Sequence, residues 1–475
     1  MSGVVLLYTF LVLAAILVYL LRRWPTPSAA LAGLSALALG VMLWTWPNDQ
    51  EVFFLGRVIN LNQPVLFFGQ HLEMGPTGQW TIGFMAVALA ATYVGAWRVS
   101  QGRTFFPFGL LLLALLSTVL LIRPLWLAPA ILAAVLSMAT FVIQAGRRGS
   151  TRGAARIMWL PVLAIPLFLL AAWYLKQVPL NPDDPLPLQS AARLASWGLL
   201  LLLAPWPLHG PGLSLGAEAP PLVAAWLSTA LLIISVSLLQ GFLLRYQWLQ
   251  NTALFYGPSG LRLPELLLYG GLALTLWAGM AAMTQRDLSR VWSYSALYNH
   301  GSVLIALGLG ARSSWGLVWL LLITRTVSLL VSGFGLAVIR DRAGGLTDYG
   351  SIRGFGTRTP WSSTALLLGG LSLAGLPLTM GFASQWTLSQ TLGTQDWLLA
   401  ALLLTGAIAL SLGLLRGERS LLGHLENRLL EREDSLMVIL AAAGIGVIVI
   451  SALWPVLWQN LLITAEAVFT LAPPP

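Results

Sequence analysis

About fourteen apolar spans run along this chain, and their central parts are nearly empty of ionisable side chains. A helix needs roughly 20 apolar residues to cross the hydrocarbon of a bilayer, and within lipid every backbone N–H and C=O must be paired inside the segment. Runs of this length are too long for barrel strands, so they predict an all-α polytopic membrane protein. Because 57% of the residues are hydrophobic and only 9% are charged, a soluble globular domain is excluded.

The predicted spans cover residues 4–22, 28–46, 78–97, 105–122, 124–144, 156–176, 191–213, 219–246, 264–283, 291–311, 314–340, 361–391, 396–416 and 435–458. No segment has the composition of a separate soluble domain, so residues 1–475 are predicted to form a single membrane domain. We divide it into peripheral helices with a loop near 47–77 (1–103), a first five-helix repeat (104–246), a second repeat (264–416), and an interfacial segment with the last helix (417–475).

The placement of the positive charges predicts the topology. The connections that follow odd-numbered spans hold 18 Lys and Arg residues, whereas the alternate connections hold 7. By the positive-inside rule the odd connections are cytoplasmic, so both termini and the 47–77 loop are expected to be extracytoplasmic, in a bacterial inner membrane or an equivalent energy-transducing membrane. The only lysine, Lys176, is predicted to lie in a loop. No clustered basic face with aromatic residues indicates a nucleic-acid partner.

Two spans are predicted to be broken. Pro205 and Pro207 interrupt the seventh span, and Gly375 and Pro377 interrupt the twelfth. Proline lacks an N–H and clashes with the preceding turn, so a helix cannot continue through such a segment. Interrupted helices at corresponding positions of two halves indicate an ion site near the midplane. The spacing is compatible with two inverted repeats, spans 4 to 8 and spans 9 to 13, each broken in its fourth helix.

The absence of cysteine and the scarcity of histidine restrict the chemistry of this chain. Without cysteine there is no disulfide, iron–sulfur ligation or thiolate metal site. The four histidines are scattered with no metal-ligand spacing, so no metal site is predicted. No catalytic centre is expected in this chain, and any electron transfer must take place in another subunit.

Three motifs in order carry a resemblance to a known family. They are Pro207–Gly210 followed by Ala219 and Pro220, the T-Q-R-D-L segment from Thr284 continuing to Ser295, and the S-L-A-G-L-P segment from Ser372 continuing to Phe382. With the fourteen spans, they make the chain similar to the antiporter-like membrane subunits of respiratory complex I, which are related to subunits of multi-subunit cation/proton antiporters and membrane-bound hydrogenases. The resemblance covers about residues 100–420.

The resemblance also shows what has changed. The family carries protons through a central line of charges, with a glutamate in span 5, lysines in spans 7 and 8, and a lysine or glutamate in span 12. The corresponding positions here are Ala130 or Ile131, Leu202, Leu232 or Ile233, and Gln385. The family's lysine in span 11 is matched by Arg325, and its histidine in span 10 by Asn299, with His300 one place later. A leucine or isoleucine cannot hold a proton, and arginine stays charged where a buried lysine would titrate.

The remaining polar residues of the spans are candidates for a modified proton path or a channel lining. They are His209, Arg325, Asn299, His300, Gln385, Ser228 and Ser235. His209 could gate protons or cap a broken helix, and His300 could be a packed, helix-bonding histidine. Arg325 needs a partner or a water-filled cavity, and its constant charge favours a fixed structural role over a titrating one.

The resemblance therefore implies a membrane-arm subunit of a complex I-type NADH or ferredoxin:quinone oxidoreductase, structural or with a modified proton path. NADH or ferredoxin, flavin, iron–sulfur clusters and quinone are expected in partner subunits. Other membrane-arm subunits and lipids are the expected partners. The alternatives are a subunit of a cation/proton antiporter, of a membrane-bound hydrogenase or of a carbon-uptake assembly.

Overall fold

The structure is a computed structural model that describes residues 2–46, 52–54, 57–67, 69–102, 104–144, 152–180, 183–250, 252–254, 260–310, 315–424, 432–454 and 456–470. The helices within these ranges are α1 (Gly3–Leu20), α2 (Pro25–Thr45), α3 (Pro76–Arg98), α4 (Phe105–Leu121), α5 (Ala128–Gln144), α6 (Arg152–Gln177), α7 (Leu186–Leu203), α8 (Gly210–Glu218), α9 (Pro221–Arg245), α10 (Leu263–Thr284), α11 (Leu288–Gly308), α12 (Trp315–Arg342), α13 (Pro360–Ala374), α14 (Gly381–Gly393), α15 (Trp397–Leu421), α16 (Ser435–Leu453) and α17 (Val456–Thr470).

The prediction of a helical membrane protein is confirmed. In the described ranges, eleven helices are long and apolar enough to cross a membrane, and α4 is a shorter apolar helix. When α7 with α8 and α13 with α14 are each counted as one broken span, α1 to α16 correspond to the fourteen predicted spans. The inverted relation of the two five-helix repeats stays a prediction.

Both predicted breaks are present. The seventh span stops at the end of α7 and restarts at α8, with Pro205 and Pro207 in the gap. The twelfth stops at the end of α13 and restarts at α14, with Gly375 and Pro377 in the gap. We call these connections, residues 204–209 and 375–380, the first break and the second break.

Short strands occupy the connection predicted as an extracytoplasmic hairpin or loop. β1 (Val52–Phe54) pairs antiparallel with β2 (Arg57–Ile59), and β3 (Val65–Phe67) pairs antiparallel with β4 (Gln70–Leu72). β4 also pairs with β5 (Ile122–Arg123), which follows α4. The sheet therefore ties the connection between α2 and α3 to the connection between α4 and α5.

Three boundaries differ from the prediction. Lys176 lies in the last turn of α6 and not in a loop, because the helix continues to Gln177. The segment from 416 was expected to lie at the interface, but α15 continues to Leu421, and residues 425–431 of that segment lie outside the described residues. The last span was expected to end at 458, but α16 ends at Leu453 and a further helix, α17, follows.

Glycines allow close packing in the second half. A Cβ added to Gly271 of α10 would lie 2.8 Å from the carbonyl oxygen of Gly301 in α11, and one added to Gly279 of α10 would contact the backbone of Gly406 in α15. Small residues let helix backbones approach closely in membranes, where packing contributes much of the association energy. These two glycine contacts bring α10 close to α11 and to α15. The polar residues described next lie on α11 and its neighbours.

Candidate functional site

The first break leaves backbone carbonyls that two side chains satisfy. α7 ends where Ala204 adopts a left-handed conformation, with φ 46°, so the carbonyls of its last turn lose their helical partners. The Ser235 hydroxyl of α9 donates to the Leu202 carbonyl at 3.1 Å. His300 Nε2 of α11 donates to the Leu203 carbonyl at 2.7 Å. Unpaired carbonyls are costly at membrane depth, so these bonds stabilise the broken helix.

The hydrogen bond to Leu203 determines which ring nitrogen of His300 carries a proton. A carbonyl oxygen accepts only, so the hydrogen bond requires the proton on Nε2. This geometry supports the interpretation of His300 as a helix-bonding histidine.

The second break is built in a similar way. α13 ends at Gly375, whose φ is +80°, a conformation that glycine adopts without strain. Gln385 Nε2 of α14 lies 3.4 Å from the Leu373 carbonyl. The first amide of α14, at Gly381, donates to the Ser372 hydroxyl oxygen at 3.1 Å. A Cβ on Gly381 would lie 1.7 Å from the Ser372 carbonyl oxygen, so only glycine fits there.

α11 connects the two breaks. His300 reaches the first break, and the Ser302 hydroxyl lies 3.0 Å from Gln385 Nε2 at the second. At 3.6 residues per turn, side chains two positions apart point about 200° apart around a helix, so one turn of α11 serves both sides. From α12, Arg325 donates to the Ala296 carbonyl of α11. We call these residues the central polar line, which comprises Ser235, His300, Ser302, Arg325 and Gln385.

Arg325 is the charged member of this line. Its side chain is 2% exposed, and it is the one charged residue in the buried class among the described residues. Its Nη1 is bonded to a neutral carbonyl, while its Nε has no partner among the described residues. Within the described part of the chain no ion pair reaches it. A guanidinium placed this way keeps its charge, because arginine is not deprotonated in proteins.

A cavity of about 100 Å³ lies beside Arg325 and His300. Helices α5 to α9, α11 and α12 contribute its lining, which includes Ser228 and Ser235 but is otherwise largely apolar. Leu202 and Leu232 line it as well. Leu202 and Leu232, one of the two alternatives for the span 8 position, therefore lie at this cavity, and their correspondence to the family's lysines stays a prediction.

The other positions aligned with lost charges lie in different surroundings. Ala130 is partly buried in α5, while Ile233 is buried in α9 at 1% exposure. Neither residue lines the cavity beside Arg325. Gln385 belongs to the second break instead, where its amide bonds Ser302. The four aligned positions are therefore not brought together at one place.

His209 and Asn299 stand apart from the hydrogen-bonded line. His209 precedes α8 and makes no capping hydrogen bond to that helix, so its role at the broken helix stays a prediction. Its ring lies 6.4 Å from the ring of Trp277, and its buried Nδ1 has no partner among the described residues. Asn299 is fully buried, and neither atom of its amide has a described partner.

Sequence reasoning missed several hydroxyl contacts near the second break. The hydroxyls of Ser328 and Ser372 lie 2.8 Å apart, and Trp292 Nε1 donates to the Ser332 hydroxyl at 2.9 Å. Ser328 and Ser332 are one turn apart on α12, a spacing that places them on one helix face. This four-residue spacing could have indicated in the sequence that Ser328 and Ser332 lie on one polar helix face.

The loop motif at the start of α11 is structural. Asp287 caps α11 by accepting from the Arg290 amide at 2.9 Å, and it also accepts from the Thr347 hydroxyl at 2.8 Å. In the connection between α12 and α13, hydrogen bonds from the hydroxyl and the amide of Ser351 lower the pKa of Asp348 from its ordinary value. These contacts hold the connection between α12 and α13 against the first turn of α11.

Replacing His300 tests its role at the first break. His300→Leu should destabilise the purified protein by about 1–3 kcal/mol, because it leaves a buried carbonyl unpaired. His300→Gln keeps an N–H donor and should lose clearly less. Thermal unfolding in detergent measures both, and equal losses in the two variants would contradict the assignment.

The part of the chain that carries both breaks is similar to a known family of membrane subunits. Residues 196–411, which include both breaks and the central polar line, match the family described as NADH:quinone oxidoreductase/Mrp antiporter, TM. This part of the chain is similar to the transmembrane domain of that family, and the chain is an integral membrane protein.

Individual known proteins are also similar to this chain. NADH-quinone oxidoreductase subunit N of Acinetobacter baumannii is 29% identical over 215 residues, which are 44% of this chain and 40% of the relative. The chain thus spans about two fifths of the length of such curated relatives. An archaeal membrane-bound sulfane sulfur reductase shares the fold with a TM-score of 0.74 at 18% identity, covering 98% of this chain and 97% of the other. Respiratory complex I from Thermus thermophilus gives 0.71 at 19% identity, with 97% and 99% covered.

Proposed function

We propose that this chain is an antiporter-like membrane-arm subunit of a complex I-type NADH or ferredoxin:quinone oxidoreductase, and that it keeps the scaffold of a proton-translocating subunit without its relay. The observation that supports this is the cavity beside Arg325, which is lined by Leu202 and Leu232; the resemblance implies that the family has lysines at Leu202 and at Leu232 or Ile233. A relay needs groups whose protonation changes near the working pH. Leucine has no such group, and the guanidinium keeps its proton.

The surface of the chain supports a role within an assembly. α1 and α16 are among the most apolar helices. In the most apolar stretch of each helix, however, only 33% and 22% of the residues are buried inside the chain. Apolar surface of this extent in a membrane protein faces lipid or another membrane subunit. In the proposed complex, the electron donor, flavin, iron–sulfur clusters and quinone belong to partner subunits.

A second candidate is a subunit of a cation/proton antiporter, of a membrane-bound hydrogenase or of a carbon-uptake assembly. The matched family includes Mrp antiporters in its description, which favours keeping this alternative. Cation exchange also needs titratable ligands, and the cavity beside Arg325 is lined mostly by apolar residues. Cation-dependent pH changes in vesicles that carry the chain would support the alternative over our proposal.

Proton pumping by the whole complex tests the proposed function. In proteoliposomes of the purified complex, Arg325→Ala and His209→Ala should leave the proton-to-electron ratio unchanged, because neither side chain relays protons. Loss of the chain should instead disrupt assembly of the membrane arm. A ratio lowered by either substitution, in a complex that is assembled and oxidises its donor at the normal rate, would show that protons pass through this subunit.

The proposed topology is open to a direct test because the chain contains no cysteine. Leu346 and Leu180 are exposed leucines at 56% and 77%, in the connections after α12 and after α6. The positive-inside rule places Leu346 in the cytoplasm and Leu180 on the opposite face. An impermeant maleimide added to spheroplasts should label Leu180→Cys and spare Leu346→Cys. The reverse pattern would invert the topology, and with it the placement of both termini.

A further inference from the structure

Arg325 is a buried cation for which the surrounding helices supply no counterion. The cavity beside it is lined by α5, α6, α7, α8, α9, α11 and α12. In the complete sequence of these seven helices, Glu218 and Asp341 are the acidic residues. Glu218 ends α8 and accepts from the Gly153 amide at 2.8 Å. Asp341 is exposed and lies in the last turn of α12, sixteen residues beyond Arg325.

The hydrogen bond to the Ala296 carbonyl does not neutralise the buried charge of Arg325. A neutral carbonyl satisfies one N–H of the guanidinium but contributes no net negative charge. Removing an ion from water costs several kcal/mol even after relaxation, and intramembrane charges are normally paired or in contact with water. Arg325 also has a buried Nε–H without a described partner, so a donor remains available.

The cavity restricts what can neutralise the charge. A volume of about 100 Å³ holds a small ion with a few waters and is far below the roughly 300–1,000 Å³ of sites for organic ligands. The first turn of α8 lines it through Pro211 and Gly212, and the positive end of a helix dipole favours an anion. The hydroxyl of Ser228 also lines the cavity and can rotate toward a ligand.

From these observations we infer that the cavity beside Arg325 binds a small monovalent inorganic anion, with chloride as the probe. The anion neutralises the guanidinium and stabilises the packing of α12 against α11 at the first break. This site goes beyond the proposed function, since it needs neither proton movement nor a redox partner.

The experiment compares anions at constant ionic strength. The purified full chain should have a Tm at least about 2 °C higher in sodium chloride than in sodium gluconate, because a ligand of the folded state stabilises it. Gluconate is too large for the cavity. Arg325→Met should abolish the difference between the two salts, while Arg342→Met, a matched change at the exposed end of the same helix, should keep it.

A second variant supplies an internal counterion. Leu232 lines the same cavity, so Leu232→Glu should pair with Arg325 and lose the chloride effect even if Arg325→Met does not fold. Crystals grown in bromide should show an anomalous peak beside Arg325. Equal Tm values of the unmodified chain in both salts, an undiminished chloride effect in Leu232→Glu, or the lack of a bromide peak would overturn the inference. The proton-to-electron ratio tests the proposed function and not the anion site, so failure of one proposal can be told apart from failure of the other.

Discussion

Gly381→Ala should prevent stable folding of the second half of the bundle. An added Cβ would lie 1.7 Å from the carbonyl oxygen of Ser372, a backbone atom at the end of α13. Backbone atoms of a packed helix cannot retreat cheaply, so the start of α14 must move away and its hydrogen bond to the Ser372 hydroxyl is lost. We expect a cost of about 3 kcal/mol, at the upper end for overpacking, measured as loss of the monodisperse peak and a lowered Tm in detergent.

Gly446 provides the matched control. It lies in α16, and an added Cβ would meet no heavy atom within 4 Å. Alanine is favoured over glycine within a helix by roughly 0.5–1 kcal/mol, so Gly446→Ala should leave the Tm unchanged or slightly raised. If the two variants unfold at the same temperature, the close approach of α14 to α13 at the second break is wrong.

Leu202→Lys, which introduces the residue type that the resemblance implies for this position, should be poorly tolerated, whereas Leu202→Glu at the same position should be tolerated. Leu202 and Arg325 line one small cavity, so an ammonium there adds a second cation, while a carboxylate pairs with the first. Unpaired buried charges cost about 3–5 kcal/mol relative to paired ones, and we expect a difference of at least about 3 kcal/mol between the two variants. Thermal unfolding in gluconate buffer measures it.

The same two substitutions at an exposed leucine provide the control. Leu66 in β3 is 67% exposed, and surface substitutions usually change stability by less than about 0.5 kcal/mol. Leu66→Lys and Leu66→Glu should therefore unfold at nearly the same temperature. A Leu202→Lys variant as stable as Leu202→Glu would show that Arg325 does not control the charge tolerance of the cavity.

The sequence was sufficient for the spans and the breaks because their causes are local. Long apolar runs require helices in lipid, and Pro205, Pro207 and Gly375 interrupt helices through their own backbone chemistry. The end of α6 and the separation of α17 from α16 were missed because apolar runs do not mark where a helix ends.

The candidate site was only partly predictable. His300 and Gln385 were recognised as polar residues of apolar spans, and this needs only the sequence. Their partners were not, because the Leu203 carbonyl and the Ser302 hydroxyl lie far away in the chain and meet them only after packing. A freed backbone carbonyl also has no sequence signature of its own.

The connection of both breaks to α11 has a mechanical consequence. One turn of α11 is hydrogen-bonded to the first break on one side and to the second break on the other. A displacement of either break therefore strains the other. A displacement of one half of the bundle would therefore reach the other half through α11, without movement of a proton or another charge. In the proposed complex, the subunit would then transmit mechanical strain between its two halves.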